Sequence, residues 1–247
     1  MKSRLFTIVC LLLSTFPASA DPLVARFESN MGDLDVLLDP IAAPRSVDNF
    51  SAYANRGAYD VTIIHRSTTY NRLDIQIVQG GGFELVGNTL PPIPSDPPIP
   101  LEAGRANALG TLAMARTSDP DSATSQWFFN VTDNPGLDFN YAVFGSVLGA
   151  GQNVIEAIGA VTVYNASAQL GPVFGQLPLL SPSLSVDYLV LINRIRVARF
   201  AITSLTHASE AVEIRWTPLS INSPVRVERR EKLGHGSWSV VSSNNAT

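Results

Sequence analysis

Residues 110–145 read GTLAMARTSDPDSATSQWFFNVTDNPGLDFNYAVFG. Three short strand-like runs sit in this stretch, separated by polar turns that contain Gly and Pro. The middle run, Gln126-Trp127-Phe128-Phe129-Asn130-Val131, carries the most information. Side chains alternate between the two faces of a strand. Trp127, Phe129 and Val131 therefore share one face and read as core. Gln126, Phe128 and Asn130 share the other, which sets an exposed Phe beside amides, a binding surface with a polar handle.

Working outward toward the N-terminus, residues 75–79 form a further strand that runs straight into Gly80-Gly81-Gly82. Three glycines allow a sharp turn or a close approach of another segment. With no helix following them they form no phosphate loop. Residues 61–66, VTIIHR, read as a strand, and residues 23–29 and 33–39 as a hairpin around Ser29-Asn30-Met31-Gly32. Between these lies a helix opened by Pro44, with Val47, Phe50, Tyr53 and Ala54 at helical spacing and Asn55-Arg56-Gly57 as its stop. The segment 90–100, LPPIPSDPPIP, holds six prolines in eleven residues and is excluded from a central strand. It reads as an extended surface connector.

Toward the C-terminus, residues 151–158 give a second short helix with Val154, Ile155 and Ile158 on one face. Residues 162–185 read as a long surface loop without regular structure, and residues 186–197, VDYLVLINRIRV, as a long closing strand. From residue 199 the pattern changes to short alternating strands at 211–216, 225–229 and 238–241. These look like the first part of a small β-sandwich, too short for a complete one of about 100 residues, and read as a truncated module or a β-appendage on the main domain. The expected division is a leader at 1–20, a main domain at 21–198 and a β-rich extension at 199–247.

Composition narrows the function classes. The chain has 247 residues, 45% hydrophobic and 15% charged, which supports a folded core. Its net charge of −4, without a basic cluster, excludes the electrostatic footprint of a nucleic-acid binder. Lys2 and Arg4, an apolar run over residues 5–16 and the small-residue triplet Ala18-Ser19-Ala20 form an export leader cut before Asp21. Periplasm and extracellular space are both compatible with such a leader, and the cut chain would have no membrane anchor. The sole cysteine, Cys10, lies inside that leader, so the processed chain would carry no disulfide, thiol nucleophile or thiolate metal site. His65, His207 and His235 are far apart and show no metal-ligand spacing. No metal or cofactor is expected.

Several motifs then agree in order: APRSVDNF on the first helix, YDVTIIHR, VQGGGF, GTLAMAR, SQWFFNV, LDFNYAVFG and the helical NVIEAI. Together they make residues 24–197 resemble the cyclophilin family of peptidyl-prolyl cis/trans isomerases. The resemblance implies a mainly β fold: a closed eight-stranded antiparallel β-barrel capped by two α-helices, with the active site on its outer face. It implies no cofactor, and Pro-containing extended or unfolded polypeptides as partners.

The chemistry needs neither nucleophile nor metal. Rotation about a peptide bond faces a barrier of about 18–20 kcal/mol from amide resonance. A fixed donor aimed at the proline nitrogen favours the twisted amide, whose nitrogen has regained its lone pair. Arg66, always charged and rich in donors, is the candidate. By resemblance Gln79 orients Arg66, and Phe128 walls the proline pocket with Ile77 and Leu137. Gln126 and the backbone at Ala115 and Arg116 hold the peptide, and Tyr141 stands near the pocket. His65 points to the opposite face and is structural.

Three departures from the family pattern bear on specificity. The segment between Arg66 and Gln79, STTYNRLDIQIV, is several residues longer than usual. Gln76 and Ile77 stand where an aromatic is usual, with Tyr70 as its candidate replacement from the insertion. Gly136 replaces the frequent Trp or Phe before Leu137, so a drug-type cyclic peptide should bind weakly. The retained Arg66, Gln79 and Phe128 favour an enzyme. The insertion and the C-terminal extension favour the alternative, a catalytically weak module that binds Pro-containing segments.

Overall fold

A computed structural model of the chain describes residues 22–68, 75–208, 211–218, 225–229 and 239–244, with side chains described as far as residue 199. The leader expected at 1–20, Tyr70 and His235 lie outside these residues. The chain opens with β1 (Leu23–Ser29), β2 (Leu34–Leu38), α1 (Pro44–Asn55), β3 (Thr62–Ile63), β4 (Arg66–Ser67) and β5 (Ile77–Gly80). It continues with β6 (Thr111–Met114), β7 (Trp127–Asn130), β8 (Val143–Val147) and α2 (Gly151–Gly159). Then follow β9 (Val163–Tyr164), α3 (Ser167–Leu170), β10 (Leu177–Pro178), β11 (Leu191–Ala208), β12 (Ala211–Pro218), β13 (Val225–Arg229) and β14 (Ser239–Asn244).

One curled antiparallel sheet dominates, in the order β12-β11-β1-β2-β8-β6-β7-β5-β4, with β3 also paired to β11. β3 and β4 are separated only by Ile64 and His65, which continue the stitching: Ile64 N–H donates to Val190 O (2.9 Å) and His65 N–H to Gln79 O (3.1 Å). The run 62–67 thus joins β11 on one side to β5 on the other. The sheet closes on itself as an eight-stranded barrel, counting that run as one strand. The strand read over 61–66 is therefore two short ladders with a change of partner between them.

Aromatic rings fill the interior. Phe27 sits 5.2 Å from both Trp127 and Phe129, and Phe50 5.2 Å from Phe144, centroid to centroid. The expected inward pair Trp127 and Phe129 is here. α1 lays Val47, Phe50, Tyr53 and Ala54 on this core, and α2 adds Ile155 and Ile158. No side chain of its own caps the start of α1. Glu102, from beyond the proline-rich segment, instead accepts from the N–H groups of Arg45 (3.0 Å) and Ser46 (2.8 Å). A carboxylate there satisfies orphan donors and complements the helix dipole. The proline-rich segment runs over the surface, anchored by buried Ile93 and by an Ile99 N–H to Ala123 O bond (2.9 Å).

Three expectations change. The segment 162–185 has regular pieces: the β9–β10 ladder, the single turn α3 and a 3-10 turn at Pro172–Phe174. Ala166, Phe174, Leu177 and Leu179 pack with Ile63 and Leu189 into a satellite core, which orders a stretch with no period of its own. The closing strand begins at Leu191 rather than 186, because Ser185 caps a 3-10 turn at Val186–Tyr188. β11 runs unbroken to Ala208 and pairs with β12. Phe128, expected to be exposed, is 1% exposed, covered by neighbours on the barrel's outer face.

Candidate active site

The site follows from strand register. Arg66 on β4 lies directly opposite Gln79 on β5, which lies opposite Phe128 on β7, which lies opposite Ala113 on β6. Directly paired residues project to the same face. One row across four strands therefore sets the guanidinium, the amide and the phenyl ring side by side on the outer face. Ile77, two residues before Gln79, shares that face. Ile77, Ala113, Ala115, Phe128, Leu137 and Val143 form an apolar cluster separate from the barrel interior, with Tyr141 edge-on to Phe128 at 5.4 Å.

Above this cluster lies a cavity of about 390 Å³. Its apolar lining is Ile75, Ile77, Ala115, Phe128, Leu137 and Tyr141, and its polar lining is Arg66, Thr68, Gln79, Arg116 and Gln176. The volume falls within the range of about 300–1,000 Å³ usual for small-ligand sites. Every expected site residue except Gln126 lines it. Gln126 acts one step back: its Oε1 accepts from Gln79 Nε2 (2.8 Å), while Gln79 Oε1 accepts from Arg66 Nη1 (3.2 Å). Both ends of the Gln79 amide are thereby occupied, which fixes its orientation. Gly82 lies under Gln126; a Cβ there would fall 2.9 Å from the Gln126 amide. Ala115 N–H donates to Gln126 O (2.9 Å), which ties the end of β6 to the start of β7.

Arg116 turns its side chain to the rim rather than the floor. Its Nε donates to Asn140 O (2.7 Å), Nη1 donates to Thr117 O (2.8 Å), and the guanidinium lies 4.8 Å from the Tyr141 ring centre. It ties two rim loops together and backs Tyr141. Between Leu137 and Tyr141, Phe139 is 77% exposed with φ 61°, a left-handed backbone uncommon for a bulky residue.

Sequence reasoning missed three groups. Gln176, 110 positions from Arg66, accepts from its Nε at 2.8 Å. It lies in the segment that showed no periodicity, so no local signal marked it. Thr68 and Ile75, the described ends of the insertion, line the cavity, and Thr68 Oγ1 accepts from Ile77 N–H (3.0 Å). Asn130 is fully buried, donating to Thr111 Oγ1 (2.8 Å) and accepting from Asn134 Nδ2 (2.8 Å). Asn134 also pairs with the backbone of Gln76 in both directions, and so fixes the Pro135–Leu137 turn that carries Leu137.

His65 faces the other way, 1% exposed and edge-on to Phe83 at 5.0 Å. Burial, reinforced by the neighbouring charge of Arg66, lowers its pKa to about 4. The Gln126 side chain opposes the shift, without a well-formed hydrogen bond to either ring nitrogen. The ring is neutral at pH 7 and takes no part in the cavity.

The family model described as cyclophilin type peptidyl-prolyl cis-trans isomerase/CLD matches residues 24–173. The chain belongs to that family. A peptidyl-prolyl cis-trans isomerase of Acinetobacter baylyi is 40% identical over 168 residues, 65% of this chain and 84% of that protein. Peptidyl-prolyl cis-trans isomerase A of Dickeya dadantii is 42% identical over 144 residues, covering 56% and 71%. Isomerase B of Escherichia coli is 39% identical over 148 residues, covering 56% and 85%. The reaction read from the sequence is the one these relatives are named for. A Cryptosporidium parvum cyclophilin, crystallised in the presence of the dipeptide Ala-Pro, shares the fold at a TM-score of 0.52 and 21% identity. It is covered over 98% of its length by 70% of this chain.

Proposed function

We propose that this cyclophilin accelerates X-Pro rotation in exported polypeptides as they fold. The reading rests above all on one observation: the register row Arg66–Gln79–Phe128 borders a cavity with an apolar floor. A pyrrolidine ring sits on Phe128, Ile77 and Leu137, removed from water. The peptide flanking it pairs with the carbonyl at Ala115 and runs along the rim built by Arg116 and Tyr141. The Arg66 guanidinium then stands at the proline nitrogen. It donates a charge-assisted hydrogen bond as the amide twists and the nitrogen pyramidalises, and donates little to the planar amide. Gln79, held by Gln126, keeps that donor in place. Export rests on the leader pattern at 1–20, and the stretch 199–247 is a β-rich extension carried on β11.

The test is exchange spectroscopy on an Ala-Pro peptide with wild type and Arg66→Ala. Removing one preorganised donor costs roughly 10²–10³ in rate. Exchange with wild type no faster than the uncatalysed tens to hundreds of seconds would sink the isomerase reading, and saturable binding without exchange would establish the binding-module alternative. Enhancement that survives Arg66→Ala would remove Arg66 from the mechanism.

A further inference from the structure

Gln176 stands out among groups outside the row. It is attached twice to the strand that carries Arg66: its Oε1 accepts from Arg66 Nε (2.8 Å), and its main-chain carbonyl accepts from Ser67 N–H (2.9 Å). The residues around it are packed. Phe174 and Leu177 belong to the satellite core with Ile63, one strand residue away from the 64–66 bend. The segment 162–185 therefore delivers one amide to the back of the guanidinium.

The geometry of the fork gives that contact its meaning. A guanidinium is planar, with five N–H donors in fixed directions. A single acceptor on Nη1 leaves the plane free to pivot about that bond. Acceptors on both Nη1 and Nε fix the plane and direct the remaining edge outward. Gln79 supplies the first and Gln176 the second. Among the described residues no carboxylate forms an ion pair with Arg66 and no partner occupies its Nη2. Among the described residues the two groups that hold Arg66 are neutral amides, which orient the guanidinium and leave its charge in place.

We propose that Gln176 is a second positioning residue for Arg66, and that the 162–185 segment serves the reaction by holding it there; this rests on the isomerase reading above. The test uses the full chain with Gln176→Met, which keeps length and loses the acceptor, Gln176→Asn, which falls one methylene short, and Gln176→Glu, which restores an acceptor. Two readouts are taken: kcat and KM for Ala-Pro exchange, and solvent exchange of the Arg66 Nε–H proton by NMR. Gln176→Met and Gln176→Asn should each lower kcat about tenfold with KM within about twofold, and expose the Nε–H to exchange at least about tenfold faster. Gln176→Glu should recover the protected Nε–H, while its carboxylate, by partly neutralising the guanidinium, keeps kcat below wild type.

Wild-type kcat together with a protected Nε–H in the Met and Asn variants overturns the proposal. So does an Nε–H that stays open to solvent exchange in Gln176→Glu. If wild type shows no catalysis, the isomerase reading falls, yet the Nε–H exchange still decides whether Gln176 holds Arg66. Should Gln176→Met not fold, Gln176→Asn carries the same comparison.

Discussion

Replacing His65 with Leu should flatten the acid limb of this protein's stability. The ring is buried, edge-on to Phe83, and neither ring nitrogen makes a well-formed hydrogen bond among the described residues, so an apolar substitute abandons only the weak approach of the Gln126 side chain. The folded chain holds the His65 pKa at about 4, whereas an unfolded His titrates near 6.5. Between those two values the unfolded chain binds a proton that the folded chain refuses. Stability from this group is therefore full above about pH 6.5 and is lost as pH falls toward about 4. At about 1.4 kcal/mol per pH unit the whole window amounts to about 3 kcal/mol, of which about 2 kcal/mol is gone at pH 5. Urea unfolding of wild type and His65→Leu, at about pH 8 and about pH 5, isolates the term, because every other titrating group is common to both. With a denaturant slope of about 2 kcal/mol per molar, the wild-type midpoint should fall by about 1 M more than that of the variant. Equal falls in the two proteins would refute the reasoning and leave His65 without a titration cost.

Three further outcomes are expected. Gly81 has φ 75°, and a Cβ there would lie 2.6 Å from Trp127 Nε1 and 2.8 Å from Ser125 O. Gly81→Ala should lower the unfolding free energy by about 3 kcal/mol, from clash plus left-handed strain, measured by urea titration; a loss within experimental error would contradict the packing. A Cβ on Gly136 meets nothing within 4 Å, so Gly136→Trp should fold normally. It should tighten a cyclic-peptide inhibitor of cyclophilins about tenfold by calorimetry, the worth of one added aromatic contact; unchanged affinity would count against Leu137 bordering the ligand site. Chain recovered from its own host should begin at Asp21 by intact-mass analysis, and a mass that retains residues 1–20 would overturn the export reading.

Much of the architecture was legible because its determinants are local. The period of two in Gln126–Val131 separated interior Trp127 and Phe129 from outer Phe128. Pro44 and the spacing of Val47, Phe50 and Tyr53 marked α1, which the structure bounds at Pro44–Asn55. Periodicity reports which face a side chain takes. It does not report what covers that face, which is why Phe128 read as exposed and is buried under Tyr141, Leu137 and Ile77. The segment 162–185 was unreadable for the same reason. Its order comes from contacts with Ile63 and Leu189, distant in sequence, and not from any repeat of its own.

For this protein, the sequence alone determined the strand faces and the first helix, since each depends on residue type and near neighbours, and its ordered motifs carried the resemblance that singles out Arg66, Gln79 and Phe128. Tertiary structure decided the register that sets those three in one row, the retreat of Gln126 behind Gln79 and the arrival of Gln176 at Arg66. Cross-strand alignment and contacts across more than a hundred residues are settled by the closing of the barrel and the packing of a satellite core.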